Sequence, residues 1–215
     1  MSSPDPSAVD LGALYRAARE RISSIATAAG VDPDVVVPAT PDWNVHDLVA
    51  HVTGVAADAT SGNMAGAPGD AWTAAQVDRN RGRSIAEMVA EWGNTGPGIE
   101  GFLSGPGGEM ASAAVMDIHT HEADLRHALG LPFAVPADFV AWAGPQMRSG
   151  FEEQVAAAGL PAVHVDVDDL TLFRARLGRR TEDEVRGYRW SAEPSPYLDS
   201  FFIFGRAASS LGEGA

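Results

Sequence analysis

The feature that most constrains the fold is a stretch at 110–129 in which apolar side chains recur with helical spacing. Gly130 follows it and Pro132 lies just beyond, a combination typical of a helix C-terminus. Inside the stretch, Asp117 and His121 are four positions apart, so their side chains are separated by roughly 40° on the helix surface. Apolar residues share that face, and we therefore expect the polar pair to open toward a core. These neighbours are Ala114, Ile118, Leu125 and Ala128.

Three more helices are predicted before this one, at 9–29, about 44–58 and 84–102. Glycine- and proline-rich loops of varied length separate them. Residues 72–83 follow no clear pattern. Four helices with narrow apolar stripes predict a mainly α protein built on a four-helix bundle.

Several residues are expected to mark helix ends. Asp10 is placed as the cap that starts the first helix and Gly30 as its end. Ser84, followed three residues later by Glu87, has the pattern of a capping box. We expect glycine and proline at 93–97 to interrupt the helix that Ser84 begins.

The remaining sequence predicts a small C-terminal extension of α/β or irregular structure. Its elements are a fifth helix at 138–158, a strand at 162–167, and short helices at 169–177 and 181–187 before a proline- and aromatic-rich tail. The predicted domains are therefore a helical bundle at 8–133 and an extension at 134–215 that packs on it.

A third polar residue, His51, lies on the second helix among Leu48, Val52 and Val55. Polar groups on a buried face need partners, and one shared divalent ion would serve His51, Asp117 and His121 together. Zinc tolerates two histidines and one carboxylate, and nickel, iron and manganese also accept such ligands. Three protein ligands leave a position for water or substrate. The simpler alternatives are a hydrogen-bonded Asp–His pair and a core histidine satisfied by its neighbours.

Nearby residues are assigned lesser roles. Asp124 returns to the Asp117 side of the helix and is predicted to orient a ligand imidazole. His119 points away from His121. The remaining expectations are a solvated ion pair between Glu122 and Arg126 and exposed positions for His46 and His127.

Four arginines cluster late in the chain, at Arg174, Arg176, Arg179 and Arg180. Such a group can anchor a carboxylate or a phosphate of a substrate or cofactor. The alternative is a solvated face that pairs with the neighbouring acids Glu182, Asp183 and Glu184.

Composition narrows the classes of partner. A net charge of −14 disfavours nucleic acid and anionic membranes, which bind basic surfaces. The absence of cysteine excludes disulfides and thiolate zinc sites, so thiol chemistry would require an outside thiol. No apolar run approaches the roughly 20 residues of a membrane helix, and the N-terminus has no signal-peptide pattern. We expect a cytoplasmic protein.

The segment 40–52, TPDWNVHDLVAHV, resembles the N-terminal signature of the mycothiol-dependent maleylpyruvate isomerase family, whose members are similar to DinB-type metal-binding bundles. His51 matches its histidine, and Asp117, His121, Asp124 and Leu125 match a later carboxylate–x–x–x–His element followed by Asp-Leu. The stretch at 172–181, with Trp190 and the segment 196–199 after it, is also similar to C-terminal stretches of the family.

The resemblance implies a zinc-type ion on His51, Asp117 and His121, and mycothiol as cosubstrate. The function it implies is thiol-dependent isomerisation or S-transfer on a small electrophilic substrate. The family has glutamate where this chain has Asp117, so the shorter side chain is expected to need a helix shift or a bridging water. The alternatives are a non-enzymatic metal-binding or regulatory module and a carrier of apolar ligands.

Overall fold

A computed structural model describes residues 9–213 of the chain. Over that range the backbone is mainly helical, with nine α-helices, two short 3₁₀ segments and one pair of two-residue strands. None of the helices in this part of the chain combines the length and apolar character needed to cross a membrane. The chain divides between Pro132 and Phe133 into two compact units.

The first unit contains five α-helices. They are α1 (Leu11–Ala26), α2 (Val45–Ser61), α3 (Asp70–Asn80), α4 (Ile85–Leu103) and α5 (Ser112–Ala128), with a 3₁₀ turn at Gly108–Ala111 before α5. The four helices predicted from apolar spacing are all present. The segment without a clear pattern forms α3, which buries Trp72, Gln76 and Val77.

Side chains cap the helix starts where the sequence predicted them. Asp10 accepts a hydrogen bond from the Ala13 amide at the start of α1. Ser84 and Glu87 form the predicted capping box of α4. The predicted end of the first helix was wrong, because α1 stops at Ala26 with Thr27 as its C-cap and Gly30 lies in the following turn.

The predicted interruption of the fourth helix was also wrong, since α4 runs unbroken through Pro97. A proline removes one backbone hydrogen bond, and the packing of α4 against α1 and α2 compensates. Glycines allow the close approach. A methyl group on Gly12 would lie 2.2 Å from the Glu100 carbonyl oxygen, and one on Gly98 would lie 3.1 Å from the Thr60 hydroxyl.

The core of the first unit lies between helices that are adjacent in space. Helix α1 packs against α4 and α5, and α2 packs against α3, α4 and α5. The side chains buried between them include Tyr15, Ile22, Leu48, Val52, Trp92, Ile118 and Leu125. Helix α2 therefore lies beside α5, which brings the segment of His51 to that of Asp117 and His121.

The second unit contains α6 (Ala137–Ala157), α7 (Asp169–Arg176), α8 (Glu182–Arg186) and α9 (Leu198–Phe201). The predicted strand shortens to β1 (Val165–Asp166), which pairs antiparallel with β2 (Arg189–Trp190). Helix α6 packs against α7 and α9. Aromatic rings fill this core, with Phe139 edge-to-face on Phe173 and Phe151 edge-to-face on Phe201.

Candidate metal centre

The three predicted ligands meet in the first unit. His51 comes from α2, while Asp117 and His121 come from successive turns of α5. The side chains of His51 and His121 are only 6% and 7% exposed, whereas that of Asp117 is 33% exposed. The cluster is therefore enclosed on the imidazole side and open to solvent at the carboxylate.

The spacing of the ligand atoms fits a shared ion. His51 Nε2 lies 3.4 Å from Asp117 Oδ2, and His121 Nε2 lies 3.4 Å from Asp117 Oδ1. Ligand atoms of all three residues lie within 4.8 Å of one another. Bonds of about 2.1 Å to a tetrahedral ion put neighbouring ligand atoms about 3.4 Å apart. Ordinary hydrogen bonds are shorter, at roughly 2.7–3.2 Å. The residues present thus fit a divalent metal.

The Asp117 carboxylate lies close to both imidazoles. Helix α5 runs from Ser112 to Ala128, and Asp117 lies within 3.5 Å of both histidines. The expectation that aspartate in place of glutamate needs a helix shift or a bridging water to bind an ion stays a prediction.

Each imidazole has a polar partner on its other nitrogen. His121 Nδ1 lies 3.1 Å from Oδ2 of Asp124, whose carboxylate is fully buried. Asp124 thus lies beside a candidate ligand imidazole, on the side of the helix that its spacing predicted. His51 Nδ1 lies 2.8 Å from Oε1 of Gln76 on α3. Sequence reasoning missed Gln76 because its segment had no clear pattern. In the structure Gln76 has no exposed surface, and a buried polar side chain needs a specific partner.

An aromatic ring forms one wall of the cluster. The Trp43 ring centroid lies 5.1 Å from that of His51 and 5.8 Å from that of His121. Trp43 immediately precedes α2, and its carbonyl accepts a hydrogen bond from the Val37 amide. The loop before α2 thereby holds the indole over both histidines.

Attraction between opposite charges shifts the pKa values of two residues of the cluster. Burial alone would raise the pKa of Asp117, but the attraction of His51 and His121 outweighs it and lowers that pKa. Burial would lower the pKa of His121, but Asp117 and Asp124 outweigh it and raise that pKa. Burial raises the pKa of Tyr15, and the charge of Asp117 raises it further, so this residue stays a neutral phenol.

Other histidines and acids near the cluster differ partly from expectation. His119 is absent from the cluster, as predicted, and its Nδ1 lies 2.8 Å from the Val115 carbonyl oxygen. The prediction that His46 and His127 are exposed was wrong, since both are half-buried.

The Glu122 carboxylate is buried, whereas the sequence predicted a solvated ion pair with Arg126. The carboxylate is 2% exposed and accepts two-pronged hydrogen bonds from Arg21 as well as one from Arg126. Glu122 therefore ties α5 to α1, which the spacing of four residues could not reveal.

The four arginines lie in the second unit, and all are buried. Arg174 and Arg180 contact the Glu213 carboxylate at 2.5 and 3.0 Å, and Arg176 donates to the Phe201 carbonyl. Arg179 donates to the Leu177 carbonyl. Burial lowers the pKa of Arg176 to about 10.

The alternative of a solvated arginine face is therefore wrong, because these guanidinium groups bond within their own unit. Glu182 pairs with Arg186 and Arg206 instead. The role of the four arginines as anchors for an acidic substrate stays a prediction.

One cavity of the first unit does not include the candidate ligands. It has a volume of about 600 Å³ and is formed by the end of α1, the loop after it and the end of α5. Its lining is largely apolar, with Ile25, Val31, Val35 and Leu129 among the residues that form it.

Comparison of the chain with protein-family models, with curated proteins and with solved structures gives no match.

Proposed function

We propose that this protein is a metal-dependent enzyme whose divalent ion is held by His51, Asp117 and His121. Zinc is the preferred ion and nickel the second choice. The observation that carries the proposal is that Asp117 lies 3.4 Å from both imidazole Nε2 atoms, which is close to the edge of a tetrahedral site with bonds of about 2.1 Å.

We further propose that α1, α2, α4 and α5 form a DinB-like four-helix bundle. Contacts of α1 with α4 and α5, and of α2 with α4 and α5, support this arrangement. In such bundles, metal sites are built from side chains on facing helices, as His51 on α2 and the pair on α5 are here.

Each residue of the cluster is assigned a separate role. His51 and His121 supply two neutral nitrogen ligands from a buried wall, and Trp43 shields them from water. Asp117 would supply the third ligand from the exposed side of the cluster, where a small molecule could approach a bound ion. Asp124 orients His121 through Nδ1.

The reaction class that we propose is thiol-dependent isomerisation or S-transfer on a small electrophilic substrate. When bound, a divalent ion lowers the pKa of a thiol and favours the reactive thiolate. The chain has no cysteine, so the thiol comes from outside. The resemblance of the segments around His51 and His121 to the maleylpyruvate isomerase family supports mycothiol as that thiol.

Elemental analysis tests the metal centre. The purified protein, reloaded with Zn²⁺ and desalted, is expected to hold one ion per chain. His51→Ala and His121→Ala are expected to lose it while keeping the helical circular dichroism spectrum. The matched control is His164→Ala, because His164 is exposed and outside the cluster. One ion per chain in His51→Ala would reject the ligand assignment.

A thiol assay tests the chemistry. Zinc-loaded protein is mixed with mycothiol and an electrophilic bimane reagent, and thiol loss is followed with and without chelator. We expect chelator-sensitive acceleration that His51→Ala lacks. Metal binding without acceleration of this or any other thiol reaction would instead favour the non-enzymatic metal-binding module.

A further inference from the structure

A chain of buried polar groups reaches His51 from the side opposite Asp117. Gln76 on α3 has no exposed surface. Its Oε1 lies 2.8 Å from His51 Nδ1, and its Nε2 donates to Asp58 Oδ2 at 2.9 Å. Asp58 lies two helical turns after His51 on α2. We call Asp58 and Gln76 the Asp58–Gln76 relay.

Asp58 determines the orientation of the Gln76 side-chain amide. Asn63 Nδ2 and Arg79 Nη2 both donate to Asp58 Oδ1, at 2.9 and 2.7 Å, so Asp58 is a paired carboxylate that only accepts hydrogen bonds. Hydrogen bonds from these neighbours outweigh burial and lower its pKa. The amide NH₂ group of Gln76 must therefore face Asp58, and its oxygen must face His51.

This orientation sets the tautomer of His51. A carbonyl oxygen at 2.8 Å requires that Nδ1 carry a proton, and a neutral imidazole then has its lone pair on Nε2. That lone pair faces the Asp117 carboxylate, 3.4 Å away. Two acceptors at this separation repel each other unless a proton or a metal cation lies between them.

We infer that Gln76, held by Asp58, is a positioning residue that fixes His51 as the Nδ1–H tautomer and so presents Nε2 to a divalent cation. The inference rests on the proposed metal centre and deepens it. Asp124 Oδ2 lies 3.1 Å from Nδ1 of His121, and both imidazoles turn their Nε2 atoms toward Asp117.

Gly54 on α2 leaves room for the contact between Gln76 and His51. A methyl group on Gly54 would lie 2.7 and 2.8 Å from Cβ and Cγ of Gln76, closer than real contacts allow. Gly54 is one turn after His51 on α2, so the missing side chain leaves the space through which Gln76 reaches the imidazole. A larger residue there would displace the Gln76 side chain at its base.

Two variants of α3 test the inference. Gln76→Met keeps the length of the side chain but removes the acceptor for His51 Nδ1. Asn80→Leu is the matched control, because Asn80 is also buried on α3 and donates to the backbone carbonyls of Gln76 and Ala50 rather than to the Gln76 side chain. The zinc dissociation constant is measured by competition with a chromophoric chelator. The tautomer of His51 is read in metal-free protein from long-range ¹H–¹⁵N spectra, which distinguish the Nδ1–H, the Nε2–H and the doubly protonated imidazole.

We expect Gln76→Met to raise the zinc dissociation constant about 10- to 100-fold and to shift His51 toward the Nε2–H tautomer. Asn80→Leu should change neither. The double variant Gln76→Glu with Asp58→Asn keeps an acceptor at Nδ1 and the net charge, so it should restore zinc binding toward that of the unmodified protein.

Three results overturn the inference: an Nε2–H tautomer of His51 in the unmodified protein, an unchanged dissociation constant in Gln76→Met, or an equal loss in Asn80→Leu. If Gln76→Met does not fold, the tautomer of the unmodified protein and the double variant still decide. Failure of the unmodified protein to bind Zn²⁺ would reject the proposed function, whereas the tautomer measurement would judge the relay separately.

Discussion

The stabilisation that a metal gives this protein can be predicted from how its ligands are held. His51 lies on α2 and the other two ligands on α5, so an unfolded chain has no assembled site and the ion binds the folded state selectively. At a free concentration one thousand times its dissociation constant, Zn²⁺ would stabilise the folded state by about 4 kcal/mol. For a chain of this length that corresponds to a rise of roughly 8–16 °C in the unfolding midpoint.

His51→Ala should abolish that rise. The quantity to compare is the shift caused by zinc, not the midpoint itself, since the substitution also destabilises the metal-free protein. Loss of the imidazole leaves Gln76 Oε1, buried 2.8 Å away, without its donor, which costs about 1–3 kcal/mol. Scanning calorimetry with zinc and with chelator separates the two effects.

The control His164→Ala should retain the full zinc shift. A zinc shift in His51→Ala equal to that of the unmodified protein would refute the argument, because the remaining two ligands would then hold the ion without the α2 contribution. Absence of any shift in the unmodified protein, together with no bound metal, would refute the metal centre itself.

Three further predictions concern stability. Glu122→Gln should lower the unfolding free energy in urea by about 1–3 kcal/mol, because the buried carboxylate loses its charge-assisted hydrogen bonds with Arg21 and Arg126. Glu182→Gln, in a pair whose side chains are both more than a third exposed, should change it by less than about 1 kcal/mol. Equal effects would contradict the burial argument. Gly12→Ala should lower the unfolding free energy by about 1–3 kcal/mol, because the added methyl group would meet the Glu100 carbonyl oxygen. Gly93→Ala, where an added methyl group would have no atom within 4 Å, should raise it by about 0.5–1 kcal/mol. A Gly12→Ala variant as stable as the unmodified protein would contradict the close approach. Asp10→Ala should cost about 1 kcal/mol at neutral pH. Hydrogen bonds from Ser104 and from the Ala13 amide lower the pKa of Asp10. The stability that Asp10 adds is therefore present above the ordinary pKa of 3.8 and should disappear as the pH falls through the lower folded-state pKa. A difference in unfolding free energy between the variant and the unmodified protein that persists in acid would contradict this assignment.

The local order of this protein could be predicted from its sequence. Apolar spacing located the four main helices of the first unit, and short-range chemistry located the caps at Asp10 and Ser84. The placement of Asp117 and His121 on one face followed from helix geometry alone, since residues four apart always lie on the same side. These features depend only on neighbours along the chain.

Packing decided the rest. Whether α2 lies beside α5, and hence whether His51 reaches Asp117, depends on how helices distant in sequence fit together. Gln76 gained its contact only because Gly54 lets α3 approach α2, and α4 continued through Pro97 because its packing compensates a lost hydrogen bond. Burial of a charged group is likewise a property of the assembled fold. Spacing predicted the partner of Glu122 on its own helix but could not show Arg21 from α1 or the burial of the Glu122 carboxylate.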